Sequence, residues 1–150
     1  MVVQVTMMKF NYEPLDGKLF GKSGTIHPPL FQFVNTKIAK GVRTKQYQID
    51  VYGAETPNRY WLCECKYTQT RMGINQIKKL ERAAKAFQQE AADEGRKRPE
   101  VILWAICTGG FTQAVHKYVA KKKDFYLSDY DGINGIFAAY GGNYKIPFFS

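Results

Sequence analysis

Hydrophobic and polar positions along the chain follow two periods, and the order of these periods predicts a mixed α/β fold. Residues 31–53 mix apolar and polar positions on either side of Gly41, which predicts two strands joined by a turn. Residues 60–67 are rich in aromatic and other strand-favouring side chains and predict a third strand. A short helix ahead of the second strand is the alternative, because apolar residues there also recur at helical steps: Leu30, Phe33, Val34 and Ile38.

The second half of the chain begins with a helical period. Apolar residues recur at three- and four-residue steps with cations between them, which predicts one long amphipathic helix over about residues 73–94. The run VILWAIC at 101–107 is apolar throughout, as expected of a central strand covered on both faces. A helix over about 112–121, a short strand at 125–127 and a last helix at 131–140 complete the order β-β-β-α-β-α-β-α.

Residues 1–30 form a poorly defined N-terminal segment. Gly17, Gly21 and Gly24 interrupt any period, and Pro28-Pro29 opposes a helix through this region. Loop with short elements is therefore expected. Because no repeat or long linker divides the chain, residues 1–150 are predicted to form a single domain.

Composition narrows the functional classes. Lys and Arg number 22 against 13 Asp and Glu, a net charge of +9 that attracts polyanions such as nucleic acids. The three cysteines are too few for a disulfide framework, which favours an intracellular location, cytoplasmic or nucleoid-associated. The longest apolar run, 101–107, is too short to span a bilayer, and no signal peptide is evident, so no membrane association is expected.

Three charged residues on the second and third strands form a candidate catalytic centre. Side chains at i and i+2 of a strand share a face, so Glu64 and Lys66 point together. Asp50 and Glu64 are symmetric about residue 57, inside the predicted turn, so antiparallel pairing would bring the two carboxylates side by side.

Two adjacent carboxylates favour a hard divalent cation, with Mg²⁺ expected and Mn²⁺ as a substitute. Such a cation polarises a phosphate and acidifies water, while the ammonium of Lys66 orients that water and offsets charge in the transition state. The set therefore suits hydrolysis of a phosphodiester.

The spacing of these residues resembles that of the PD-(D/E)xK nucleases: Asp50, thirteen intervening residues, then Glu64-Cys65-Lys66. The following elements, including TGGFTQAV and YLSDYDGINGIF, are similar in order to Mrr-type restriction enzymes and archaeal Holliday-junction resolvases over about residues 35–140. The resemblance implies a restriction-endonuclease-like mixed β-sheet flanked by helices and a Mg²⁺-dependent DNA endonuclease. It also implies that both acids and the backbone carbonyl of Cys65 bind the metal, and that Lys66 assists the attacking water.

The chain departs from the family pattern at two points. Ile49 stands where the family has its proline, and the family's first helix, often bearing another acid, has no certain counterpart. Residues 30–40 could supply a helix but contain no acid, which leaves Glu13 as the stand-in. Without that helix part of the sheet would be uncovered, so a homodimer is an expectation there.

Further residues are candidates for contact with nucleic acid. Cations on the long helix suit phosphate contacts, as do Lys117, Lys121, Lys122 and Lys123, and glutamines just beyond the motif suit contacts to phosphate or water. DNA is the expected partner, with RNA left open. The alternatives are a non-catalytic nucleic-acid-binding module with the nuclease fold, or a protein-interaction domain in which Glu64 and Lys66 form an ordinary ion pair. The main binding candidates are Gln69, Gln76, Lys78, Lys79 and Arg82.

Overall fold

A five-stranded mixed sheet forms the centre of the computed structural model, which describes residues 2–40 and 46–141. The strand order is β3-β4-β5-β6-β7; the first two pairings are antiparallel and the last two are parallel. The strands are β3 Phe33–Lys40, β4 Gln46–Thr56, β5 Arg59–Lys66, β6 Glu100–Cys107 and β7 Phe125–Ser128. The mixed α/β sheet expected from the sequence is confirmed.

Helices cover both faces of this sheet. The long helix α2, Ile74–Asp93, and α3, Gln113–Ala120, bury apolar side chains on one face. The short helix α1, Val2–Met7, and α4, Tyr130–Ala139, do so on the other. The result is a three-layer α/β/α arrangement. No helix within the described ranges is both long and apolar enough to cross a membrane.

The N-terminal segment is built of short elements, as expected, but it covers more of the sheet than the sequence suggests. Besides α1 it contains a two-stranded antiparallel pair, β1 Leu15–Asp16 with β2 Thr25–Ile26, and a 3-10 helix, Gly17–Phe20. Its apolar side chains are buried against the sheet together with those of α4. The expectation that part of the sheet is uncovered is therefore wrong. The expectation of a homodimer, which rested on an uncovered sheet, no longer has that support.

The alternative of a helix around residues 30–40 is also wrong, because β3 occupies Phe33–Lys40 and pairs antiparallel with β4. Strand pairing satisfies the backbone polar groups of the two segments that face each other. The predicted turn at Gly41 lies outside the described residues.

Aromatic side chains fill the core beneath α1 and α4. Trp104 of β6 is fully buried, and its ring lies 5.8 Å from that of Trp61 and 5.4 Å from that of Phe20. Its indole N–H donates to Ser128 Oγ at 2.9 Å, and Ser128 Oγ in turn donates to the carbonyl of Leu19. Every polar atom of this chain of bonds is thus satisfied, and the N-terminal segment is fastened to β7.

The ends of the two central parallel strands, β5 and β6, continue side by side after the sheet. Thr108 Oγ1 accepts a hydrogen bond from Thr68 N at 2.8 Å and donates to Thr68 O at 2.8 Å. Gly109 packs so closely that a Cβ there would lie 2.2 Å from the carbonyl oxygen of Thr70. This contact fixes the chain between Lys66 and the start of α2.

We predict that Gly109→Ala lowers the free energy of unfolding by about 2 kcal/mol, because backbone atoms must move to admit a methyl group. Gly73→Ala is the matched control: nothing lies within 4 Å of a Cβ there, so only the cap preference, under about 1 kcal/mol, is lost. Urea unfolding measures both. Equal stability of the two variants would contradict the prediction.

Candidate metal centre

The pairing of β4 with β5 brings Asp50 and Glu64 to adjacent positions. Val51 stands opposite Cys63, and the same register continues through Ala54 opposite Tyr60. These pairs are symmetric about residue 57, as the sequence predicts, and the next positions outward are Asp50 and Glu64. Both side chains line one recess.

A β-bulge lies at Asp50. Asn35 pairs with Tyr52, and Lys37 pairs with Ile49. Between these pairs β3 has one residue and β4 has two, so Asp50 and Val51 lie opposite one residue of β3. A regular strand would send Ile49 and Asp50 to opposite faces. Instead Ile49 is buried in the core beneath α2, and Asp50 lines the recess beside the same helix. The bulge thus brings Ile49 to the face beneath α2, while Asp50 keeps the face that it shares with Tyr52 and Ala54 and with the motif on β5.

The Asp50 carboxylate is held by the neighbouring strand. Its Oδ2 accepts a hydrogen bond from the backbone N–H of Cys65 at 2.8 Å. A backbone donor is fixed by the strand ladder, so this bond orients the carboxylate at little additional cost in side-chain entropy. Asp50 is therefore anchored to the central residue of the Glu64-Cys65-Lys66 motif.

The recess is small and mostly polar in its lining. Its volume is about 170 Å³, room for a cation and several water molecules but not for a nucleotide. Helix α2 closes one side. The lining residues are Asp50, Glu64, Cys65, Lys66, Lys79, Leu80 and Ala83.

Burial and charge act together on Glu64. Burial raises the pKa of this carboxyl above its ordinary value; Lys66 partly opposes that rise, Asp50 adds to it, and Lys79 opposes it more weakly. Asp50 contributes to the rise because two nearby carboxylates of like charge repel each other. A cation placed between them would relieve both the repulsion and the cost of burial.

Two ammonium groups border the carboxylates. Lys66 Nζ lies 3.9 Å from Glu64 Oε1, with 47% of the lysine side chain exposed against 19% of the glutamate side chain. Lys66 therefore stands at the mouth of the recess and Glu64 deeper within it. Lys79, which the sequence suggests only as a phosphate contact, lines the same recess from α2.

The cysteines take no part as thiolates. Burial raises the pKa of the Cys65 thiol to about 12, with further contributions from Asp50 and Glu64. Cys63 and Cys107 are buried and their thiol pKa values are raised by burial as well. Among the described residues no group of three or more His, Cys, Asp or Glu side chains could hold a metal. Any cation here would have two carboxylates as its side-chain ligands.

The other predicted site residues lie apart from these carboxylates. Glu13 is not among the residues that line the recess; its Oε2 accepts from the backbone N–H of Asn11 at 2.7 Å, within the N-terminal segment. The structure therefore does not bring Glu13 into the recess with Asp50 and Glu64. The neighbouring Tyr12 donates to Glu55 Oε1 at 3.0 Å, five residues along β4 from Asp50.

The candidates for contact with nucleic acid occupy several places near α2. Gln76 Oε1 accepts from Gly73 N at 2.8 Å, so this side chain caps the start of the helix. Lys78 lies over the ring of Tyr118, with Nζ 5.7 Å from the ring centroid. Arg82 and Gln69 are exposed.

Comparison of the chain with protein-family models, with curated proteins and with solved structures found no match.

Proposed function

We propose that this chain is a metal-dependent nuclease that hydrolyses phosphodiester bonds in DNA, with Mg²⁺ as cofactor and Mn²⁺ as a substitute. The observation that supports it most is the recess shared by Asp50, Glu64 and Lys66, with a half-buried carboxylate whose pKa is raised by burial and by its acidic neighbour. An ordinary surface ion pair would not require the second acid or the covering helix.

The residues present fit a magnesium ion. Mg²⁺ commonly keeps several waters and binds through one or two carboxylates together with substrate phosphates, so the pair Asp50 and Glu64 is sufficient. The N–H of Cys65 points to β4, and in a strand the carbonyl of the same residue points to the same side, which would direct it towards Asp50. The ligand set implied by the PD-(D/E)xK resemblance is consistent with this backbone orientation.

The bound cation would supply Lewis acidity to a phosphoryl oxygen and to water. The chain supplies the rest. Asp50 and Glu64 hold negative charge at fixed positions, and Lys66 at the mouth is placed to orient a water molecule and to offset charge that develops on the phosphate. Lys79, on the opposite wall, adds a second positive charge to the same space.

Removing either charged group of the motif should abolish cleavage. We expect Glu64→Ala and Lys66→Ala each to reduce the rate by at least about 100-fold, because each removes charge stabilisation from the transition state. The measurement is cleavage of linear and branched DNA in Mg²⁺ or Mn²⁺. Glu100→Ala and Lys97→Ala, changes of the same type at exposed positions, are the controls and should cleave normally.

Equal cleavage by all five proteins would remove the recess from the mechanism. DNA binding in chelator without any cleavage in either metal would indicate a non-catalytic binding module. Failure to bind nucleic acid at low salt would indicate a protein-interaction domain instead.

Glu64→Gln should raise the melting temperature of the metal-free protein by a few degrees at neutral pH. The pKa of Glu64 is raised by folding, so the folded state holds its proton more tightly and loses stability as pH rises from the ordinary carboxyl range through the raised pKa. Glutamine removes that cost. Thermal unfolding in EDTA measures it, with Glu100→Gln as an exposed control; a lower melting temperature for Glu64→Gln would contradict the argument.

With added Mg²⁺, the wild-type protein should have a higher melting temperature than Glu64→Gln. Wild-type protein should gain melting temperature with Mg²⁺ because only its folded state has the paired carboxylates, whereas Glu64→Gln should gain none. For wild type the gain should diminish as pH falls through the raised pKa of Glu64, since the protonated carboxyl is a poor ligand. A pH-independent gain would show that the ion binds elsewhere.

Cys65→Ala should keep cleavage activity within about threefold of wild type, because the proposed ligand is the backbone carbonyl and the thiol stays protonated. The assay is the same DNA cleavage in Mg²⁺. A loss as large as that of Glu64→Ala would show that the side chain itself takes part.

A further inference from the structure

A second concave surface lies between the start of α2 and α3, away from the recess. Its volume is about 650 Å³, and its lining residues are Ile74, Ala114, Lys117, Tyr118, Lys121 and Lys122. Four of these residues, at positions 114, 117, 118 and 121, follow the spacing of one helical face, so α3 presents a continuous wall. We call this surface the α2–α3 groove.

The groove combines an apolar floor with a basic rim. Tyr118 OH donates to Glu81 Oε1 at 2.5 Å, and Lys122 Nζ lies 3.1 Å from Glu81 Oε2, so the one acid of this region on α2 is already engaged. Lys117 on α3 and Lys121 at its C-cap are exposed and lie one helical turn apart. Positive charge therefore exceeds negative charge at the rim.

A strip of cations connects the groove with the recess across the outer surface of α2. At about 100° per residue, Lys79 lies on the flank towards the recess, Lys78 on the flank towards α3, and Arg82 between them. All three are exposed. The distance to be crossed is the width of one helix, about 10 Å.

We infer that the α2–α3 groove binds the phosphate backbone of DNA beyond the bond that is cleaved. This inference rests on the proposed function, because it treats the recess as the reacting end of one continuous binding surface. Charge complementarity identifies the occupant: the rim offers ammonium groups in a row, and the recess at the other end of the strip suits a phosphodiester. An acidic protein segment would complement the charge of the rim, but the recess would contribute nothing to its binding.

The test is DNA binding by a variant that removes two rim charges and keeps the side-chain stems. Lys117→Gln with Lys121→Gln should weaken binding of a labelled DNA duplex about tenfold in EDTA, and the slope of log affinity against log salt should become shallower by about 1.8. The control is Lys9→Gln with Lys97→Gln, the same loss of charge at exposed positions outside the groove. Lys117→Arg with Lys121→Arg should bind as wild type.

Equal binding by the groove variant and its control would overturn the inference. The inference would also be overturned if binding of poly-glutamate depended on Lys117 and Lys121 and binding of DNA did not. The occupant would then be an acidic protein. Hydrolysis of bis(4-nitrophenyl) phosphate, too small to reach the groove, should be unchanged in the groove variant. A loss of duplex affinity in the groove variant alone would support DNA binding at the groove even if the wild-type protein cleaves no DNA. Failure of the groove proposal and failure of the nuclease proposal can therefore be distinguished.

Discussion

The hydrogen bond from Cys65 N to the Asp50 carboxylate is the interaction on which the candidate centre depends. It joins the bulged position of β4 to the middle of the motif on β5, so the spacing of the two acids is set by backbone. Sheet backbone is among the least deformable parts of a protein, whereas two long side chains meeting over a surface would have to lose rotamer freedom. A binding centre built in this way is organised before any ligand arrives.

Such preorganisation has a cost that is visible in Glu64. A carboxyl that is partly buried beside another carboxyl is destabilised in its charged form, and its raised pKa reflects that cost. The surrounding fold compensates with an aromatic core on the opposite face of the sheet, centred on Trp61 and Trp104. Strand β5 thus carries both the charged residues of the motif, Glu64 and Lys66, and the core residue Trp61.

Much of this arrangement could be predicted from the sequence, because periodicity reports directly on which residues are buried. The helix over residues 73–94, the apolar strand at 101–107 and the symmetry of Asp50 and Glu64 about residue 57 all follow from local patterns. What could not be predicted depends on long-range packing. The bulge at Asp50 depends on pairing with β3. The coverage of the sheet by residues 2–31 depends on contacts of that segment with α4 and β7. The position of Glu13 could not be predicted for the same reason, since no local pattern shows where a loop will pack.

The closure between the N-terminal segment and the last elements has a consequence for synthesis. Leu19 meets Ser128, and Lys22 Nζ donates to the carbonyl of Lys122, across separations of 109 and 100 residues. A ribosome that has released the chain only as far as about residue 100 would therefore present the rings of Phe10 and Phe20 without their later neighbours Trp104, Tyr126 and Tyr140. Folding of this layer must wait until α4, which ends at Ala139, has been released, and until then the aromatic surface is exposed to chaperones or to aggregation.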